Sequence, residues 1–211
     1  KRGQEALLSQ ESIFPECVNW TIHDCWASYF TVGKGRHSLC GAHLLRELQA
    51  LIEQGCQWAK AMHDYLMAAY EATRHGPIGL NQQALWRMNY QQICQQADLE
   101  EHPAITFFKP NGSLGKPKRT KGRNLLQRLI RHEEAVLAFA FESGVPFTNN
   151  QAERDLRTAK VKQKISNCFR RVGGANAYAR IASFISTIRK MNRNIMNNIE
   201  NVLMGNFEWA T

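Results

Sequence analysis

The sequence predicts a helix-dominated α/β fold, and three observations lead to this class. Segments rich in β-forming residues are confined to the first 40 positions, and after them the apolar residues recur at helical spacing. There is no internal repeat, and no apolar run approaches the roughly 18–20 residues of a membrane-spanning helix. With 211 residues, 44% apolar and 21% charged, the chain has the composition of a globular protein of one or two domains.

Two short strands are predicted near the start. Residues 1–10 are predicted to form a short helix or the end of one. The segment CVNWTI at 17–22 follows Pro15 and predicts a strand that ends near His23 and Asp24. A second strand is predicted from His37 to Cys40, after the Gly-Lys-Gly turn at 33–35.

The rest of the chain is predicted to be helical. Apolar spacing and the turn residues between segments predict helices at 44–52, 58–69, 80–101, 125–143, from 149 onward, 175–191 and 195–203. One stretch breaks the pattern: PNGSLGKPKRTKG at 110–122 has turn residues, like charges and no apolar period. It is therefore predicted to be an exposed, mobile loop.

Charge is unevenly distributed along the chain. Residues 1–108 carry 8 basic and 11 acidic side chains, whereas residues 109–211 carry 19 basic and 7 acidic ones. A basic half of this kind is typical of a protein that binds the phosphate backbone of nucleic acids, and a soluble protein with a charged surface is the alternative. The six cysteines contain no CxxC pair, which indicates a reduced, cytoplasmic protein.

Asp24 is the first candidate for chemistry. It lies at the predicted carboxyl end of a strand, where open α/β sheets place their sites. The alternative is a helix N-cap for the segment DCWASYF, since Asp is a favoured cap. His23, beside it, is expected to position neighbouring groups rather than to transfer protons.

Glu153 is the second candidate, because it stands at the head of a strongly basic helix. Asn150 and Glu153 have the spacing of a capping box, which is the structural alternative. A carboxylate beside many cations also suits a site that holds a metal ion and a phosphate together. The residues predicted to contact DNA are Arg154, Arg157, Lys160, Lys162, Lys164, Arg170 and Arg171.

Helical spacing divides these basic residues. Arg157, Lys160 and Lys164 share one face, so they are the favoured phosphate contacts, whereas Lys162 points elsewhere. Arg154 is the candidate for orienting a carboxylate instead. Gly173-Gly174, further on, favours a plain turn over a phosphate site at a helix N-terminus.

Cys40 and His43 form the segment CGAH, which contains two residue types that ligate zinc. Tetrahedral zinc requires further ligands, and no second pair is suitably spaced. A buried thiol and an imidazole at a helix start, both packing the wall of a site, are therefore favoured over a zinc site.

Four segments resemble the catalytic region of transposases of the insertion sequence 66 family: IHDCWASYF, SLCGAHLLREL, VPFTNNQAERDLRTAKVKQKISNCFRR and GGANAYARIASFISTIRK. The opening KRGQEA is similar to the segment that follows this family's first strands. The most specific part is the block from NNQAERDLR to CFRR, and the resemblance runs over nearly the whole chain.

The resemblance implies a partial RNase H-like DDE transposase core with an all-helical insertion. Asp24 and Glu153 are then the second and third catalytic, metal-binding carboxylates, and the site is supported by His23, Cys40, His43, Asn149 and Asn150. The implied domains are 1–40, the first part of the core; 41–145, the helical insertion with a basic loop at 109–123; and 146–211, the C-terminal helices of the core.

The implied chemistry is cleavage and strand transfer of duplex DNA at transposon ends with Mg²⁺ or Mn²⁺. The family's first catalytic Asp lies on an upstream strand, and no Asp precedes Asp24 here. The resemblance therefore implies a C-terminal transposase fragment that is inactive alone, associates with transposase and resides in the bacterial cytosol at the nucleoid. A non-catalytic DNA-binding remnant, an inhibitor of full-length transposase and a helical RNA-binding module are the alternatives.

Overall fold

A computed structural model of the chain describes residues 3–9, 12, 14–106, 108–115, 117–166 and 168–209. It divides into two compact units, residues 1–149 and residues 150–211. Three residues of the predicted N-terminal helix, Lys1, Arg2 and Gln10, lie outside the described residues, as does Lys116 of the predicted loop.

The described part of the first unit contains two strands among helices, which confirms the predicted helix-dominated α/β class. Its elements are α1 (Gln4–Leu7), a 3-10 turn (Phe14–Glu16), β1 (Trp20–His23), α2 (Ala27–Val32), β2 (Arg36–Leu39), α3 (Gly41–Ile52), α4 (Gln57–Ala72), α5 (Leu80–Glu100), α6 (Lys121–Arg131) and α7 (Glu133–Phe141). The second unit contains α8 (Asn150–Ile165), α9 (Val172–Lys190) and α10 (Ile195–Leu203).

The two strands form a small parallel sheet. Trp20 pairs with Arg36 and His23 pairs with Leu39, and the ladder continues as the Cys40 N–H donates to the His23 carbonyl over 2.9 Å. Because parallel strands end at the same edge of a sheet, Asp24 and Cys40 both follow directly at this carboxyl edge. The predicted strand at 17–22 is thus shorter than expected, and begins at Trp20.

The core of the first unit lies among α3 to α7. Leu48, Trp58, Met62 and Leu66 are buried on α3 and α4. Helix α7 packs against β2, and its residues 135–140 are all buried. A helix that is apolar on every side belongs in the interior, which explains why its sequence, EEAVLAFAF, lacks an amphipathic pattern.

The helix predicted at 125–143 is two helices in the structure. Helix α6 begins at Lys121, inside the predicted loop at 109–123, because the Thr120 hydroxyl accepts a hydrogen bond from the Arg123 N–H over 2.8 Å. The break comes at His132, whose ring stacks on Phe30 with 4.3 Å between centroids. The spacing of apolar residues, from which one helix was predicted, indicates neither the Thr120 cap nor the stacking of His132 on Phe30.

The segment between α5 and α6 is more regular than predicted. Ile105 pairs with Lys118 and Phe108 pairs with Leu114 in isolated antiparallel bridges. These bridges are the only β-pairings in the described part of residues 41–145, so the range is mainly helical as expected. The predicted mobility of the segment stays a prediction.

In the second unit, α9 packs against both α8 and α10. Asp155 on α8 accepts hydrogen bonds from Ser186, over 2.9 Å, and from Lys190, both on α9. These two donors, Lys190 first, hold the pKa of the Asp155 carboxyl below its usual range. Asp155 therefore joins two helices.

Gly41→Ala is expected to destabilise the first unit by about 1–3 kcal/mol, the usual effect of overpacking. A Cβ at position 41 would overlap the ring of Phe147, whose carbonyl also accepts the Gly41 N–H over 2.8 Å. Denaturant unfolding measures the effect. Gly173→Ala is the matched control, because a Cβ at Gly173 meets no atom within 4 Å, and it is expected to be neutral or stabilising.

Phe147→Leu tests the cause of that effect. If the overlap with Phe147 is responsible, adding Phe147→Leu to Gly41→Ala costs less than the two single changes summed. A fully additive pair would show that the loss at Gly41 has another origin.

Candidate functional site

The carboxyl edge of the two-stranded sheet carries the first group of candidate residues. Asp24 is exposed directly after β1, and its Oδ1 accepts a hydrogen bond from the Trp26 N–H over 3.2 Å. Helix α2 follows, as the N-cap alternative for Asp24 requires, but the residue in the N-cap position is Trp26. The Asp24 carboxylate therefore closes the turn that leads into the helix without capping the helix itself.

The turn after Asp24 is strained. Cys25 has φ of 69°, in the left-handed region that residues other than glycine seldom adopt. Such a conformation is unfavourable and persists only where the surrounding structure holds it. Here the Cys25 N–H donates to Nδ1 of the buried His23 over 3.1 Å. The strain and its restraint both lie next to the candidate catalytic carboxylate.

His23 is 3% exposed and faces a second histidine. Its Nε2 lies 3.2 Å from Nδ1 of His37. Because His23 Nδ1 accepts the Cys25 N–H, the neutral ring carries its proton on Nε2 and donates it to His37. Burial, followed by the positive charge of His37, lowers the pKa of His23 to about 4. His23 is therefore neutral at pH 7 and accepts the hydrogen bond that closes the turn, and its predicted positioning role in a site stays a prediction.

His37 and His132 are residues that the sequence analysis missed. The Phe30 ring lies between them, 4.8 Å from the His37 ring and 4.3 Å from the His132 ring, and burial lowers the pKa of both histidines. These three side chains, with Arg131 and Glu134, are part of the wall of a cavity of about 600 Å³. The strand register could have indicated His37. His37 pairs with Thr21, which is two positions from His23, so both histidines lie on the same face of the sheet.

The CGAH segment packs against the chain just before α8. The Cys40 thiol donates to Oδ1 of Asn149 over 3.0 Å, and the Asn149 N–H lies 3.4 Å from Cys40 Sγ. The thiol is buried, and His43 lies in the first turn of α3. No group of three His, Cys, Asp or Glu among the described residues is arranged to hold a metal ion. Cys40 is thus buried against Asn149, and its role at the wall of a site stays a prediction.

The second group of candidate residues lies on α8. Asn150 is the first residue of this helix, and Glu153 lies in its first turn. Five residues line a cavity of about 430 Å³: Asn150, Glu153, Arg154, Arg157 and Lys160. The structure thus brings Arg154 together with two of the three predicted phosphate contacts, next to a carboxylate.

The remaining predicted DNA contacts lie outside that cavity. Lys162 and Lys164 are exposed in the last turn of α8, and Arg170 and Arg171 are exposed before α9. The plain turn favoured at Gly173 and Gly174 is wrong, because both residues belong to the first turn of α9, which begins at Val172 rather than at residue 175. The basic surface therefore continues beyond the cavity toward the start of α9.

A carboxylate at the carboxyl edge of a parallel sheet lies where open α/β sheets bind their ligands, and a strongly basic helix is typical of proteins that bind nucleic acids. The chain belongs to the transposase IS66 family, whose model matches residues 3–177. No curated protein and no solved structure matches the chain. The family assigns a transposase-related function, with DNA as the partner, and confirms the resemblance.

Within the described part of the chain, no helix is both long enough and apolar enough to span a bilayer. All six cysteines are free thiols.

The stability of the first unit is expected to fall as the pH drops from 6.5 toward 4. The pKa of His23 is about 4 in the folded chain and 6.5 in the unfolded chain, so the unfolded chain binds the proton first as the pH falls. The contribution of neutral His23 to stability is therefore complete above pH 6.5 and is lost as the pH falls toward 4. The loss is on the order of 3 kcal/mol, at about 1.4 kcal/mol per pKa unit.

Denaturant unfolding across this pH range compares wild type with His23→Gln, which should show a weaker pH dependence. His75→Gln, at an exposed histidine, is the control and should behave as wild type. An equal pH dependence in wild type and His23→Gln would refute the assignment.

Proposed function

We propose that the chain is part of the catalytic domain of an IS66-family transposase and contributes two carboxylates, Asp24 and Glu153, to metal-dependent DNA cleavage and strand transfer. Family membership supports the reaction class. The two carboxylates lie in separate units, so their assignment to one site rests on the resemblance of their sequence segments to the family.

The observation that carries the proposal is the position of Asp24. An exposed carboxylate follows a parallel strand directly, and its turn is held in a left-handed conformation by a buried histidine. Strain of this kind is concentrated at functional sites. The parallel β1–α2–β2 arrangement is also compatible with the partial RNase H-like core that the resemblance implies.

The two candidate ligands have the chemistry that magnesium prefers. Asp24 and Glu153 offer hard carboxylate oxygens, which Mg²⁺ and Mn²⁺ prefer. We propose that these two residues hold such an ion. When bound, divalent cations activate the attacking oxygen and stabilise the leaving oxygen in phosphoryl transfer.

The chain's other residues bind and orient the DNA. The exposed guanidinium and ammonium groups of Arg157 and Lys160 are suited to non-bridging phosphate oxygens. We propose that Arg154, which lines the same cavity as Glu153, orients that carboxylate. His23 stays neutral and fixes the turn beside Asp24. Direct phosphoryl transfer needs no nucleophilic side chain, since water and then a DNA 3′-hydroxyl attack.

Metal binding tests the proposed role of the two carboxylates directly. Asp24→Asn and Glu153→Gln should each weaken Mn²⁺ binding at least about tenfold, since even partners outside the ligand set are worth roughly 10–100-fold. Electron paramagnetic resonance of the bound ion measures the affinity.

The double variant tests whether the two carboxylates share an ion. If they do, Asp24→Asn with Glu153→Gln binds little worse than either single variant. Asp64→Asn, at an exposed ion pair with Lys60, is the control and should leave Mn²⁺ binding unchanged. Independent losses that multiply would show two separate weak sites and contradict the proposal.

Lys160→Ala with Lys164→Ala should weaken binding of duplex DNA to a similar degree for all sequences. The logarithmic salt slope should fall by about one unit per lost phosphate contact. Fluorescence anisotropy between about 50 and 200 mM salt measures both quantities.

The control removes the same charge from another surface. Lys60→Ala with Arg74→Ala deletes two exposed cations of the first unit that pair with Asp64 and Glu71. If both double variants bind DNA as wild type does, while remaining folded, the α8 surface is not the DNA contact.

A further inference from the structure

The segment that joins α5 to α6 has a definite hairpin structure. We call residues 105–118 the basic ribbon; its described residues are 105–106, 108–115 and 117–118. The Ile105 and Lys118 main chains exchange two hydrogen bonds of 2.9 Å, and the Lys109 N–H donates to the Ser113 carbonyl over 2.8 Å. This reciprocal pairing is the antiparallel pattern of a two-stranded ribbon.

The turn of the basic ribbon is also internally bonded. Gly112 adopts a φ of 76°, which glycine reaches without steric cost, and its N–H donates to the Lys109 carbonyl over 2.9 Å. The Asn111 side-chain oxygen accepts hydrogen bonds from the Ser113 N–H, over 3.2 Å, and from its hydroxyl, over 2.7 Å. These hydrogen bonds close the turn at the tip of the ribbon.

The base of the basic ribbon is tied to the core. Arg123 is 8% exposed, and its guanidinium binds the Asp98 carboxylate and the main-chain carbonyls of Glu101 and His102. The Glu101 carboxylate accepts hydrogen bonds from the Trp58 indole over 3.0 Å and from the Thr120 hydroxyl over 2.8 Å. Trp58 is buried in the core, so Glu101 joins the residues on both sides of the ribbon to the core of the first unit.

The basic ribbon exposes large apolar side chains. Phe108 is 73% exposed and Leu114 is 61% exposed, and the two residues stand opposite each other in the ribbon. Opposed residues of an antiparallel pair lie on the same face. A two-stranded ribbon is at best marginally stable by itself, so an apolar pair at its tip gains by being covered.

The charge around this apolar pair is of one sign. No acidic residue occurs between Glu101 and Glu133. Arg123 is used in the anchor, whereas Lys109, Arg119 and Lys121 are exposed. A surface that combines exposed cations with apolar side chains suits an anionic partner with accessible apolar faces.

We propose that the basic ribbon is a second DNA-contact element, separate from α8. Lys109 of the ribbon, together with Arg119 and Lys121 directly after it, binds backbone phosphates of duplex DNA, and the Phe108–Leu114 pair packs on sugar and base surface in a groove, as apolar side chains of DNA-binding proteins do. The inference rests on the proposed function in taking DNA as the partner. A second copy of the chain is disfavoured, since two such ribbons would bring like charges together.

The experiment separates the charged contacts from the apolar one. Lys109→Ala with Arg119→Ala should weaken duplex binding and lower the logarithmic salt slope by about two units, one for each phosphate contact. Phe108→Ser with Leu114→Ser should weaken binding roughly tenfold and leave the salt slope unchanged, because contacts with sugars and bases release no counterions. All four side chains are exposed, so the fold is expected to survive.

The pair Lys60→Ala with Arg74→Ala again serves as the charge-matched control. If wild type does not bind duplex DNA, the proposed function and the ribbon inference both fail. If wild type binds and the α8 variant loses affinity while both ribbon variants bind normally, only the ribbon inference is overturned. It is also overturned if Phe108→Ser with Leu114→Ser abolishes self-association in sedimentation but leaves DNA affinity unchanged, since a second copy then covers the tip.

Discussion

The parallel ladder between β1 and β2 fixes the position of Asp24, the candidate catalytic residue of the first unit. It brings the ends of both strands to one edge, so Asp24 and Cys40 follow there although 16 positions separate them. It also sets His23 and His37 on one face with 3.2 Å between their ring nitrogens. The turn at Cys25 depends on this arrangement, because the ring that accepts its N–H is held by the second histidine.

Buried polar side chains connect the helices of the first unit to the loops beside them by hydrogen bonds. Arg123 is enclosed, and its cost of burial is offset by a carboxylate and several carbonyls around the end of α5. The Cys40 thiol similarly joins the start of α3 to Asn149. Each contact connects segments that are far apart in sequence. The positions of the loops next to the core therefore depend on these polar contacts as well as on apolar packing.

Positive charge is unevenly distributed along the chain. Asp24 belongs to a half with a net negative balance, whereas 19 of the 27 cations follow residue 108, and five of these lie on α8, which also carries Glu153. Asp155, although it lies on the basic helix α8, is engaged by Lys190 and Ser186 and joins α8 to α9. The exposed cations thus form a surface whose charge is suited to a polyanion.

Local patterns in the sequence were sufficient for the helix-dominated class, for α10 at residues 195–203, and for the family, whose motifs are contiguous. They were insufficient at residue 132, where a helix breaks because His132 stacks on Phe30, about 100 positions away. Local patterns also did not indicate the basic ribbon, because its strand pairing and its Arg123 anchor join residues up to 25 positions apart. Periodicity and spacing report what neighbouring residues prefer, whereas the His23–His37 pair exists because strand pairing brings two residues 14 positions apart into hydrogen-bond distance.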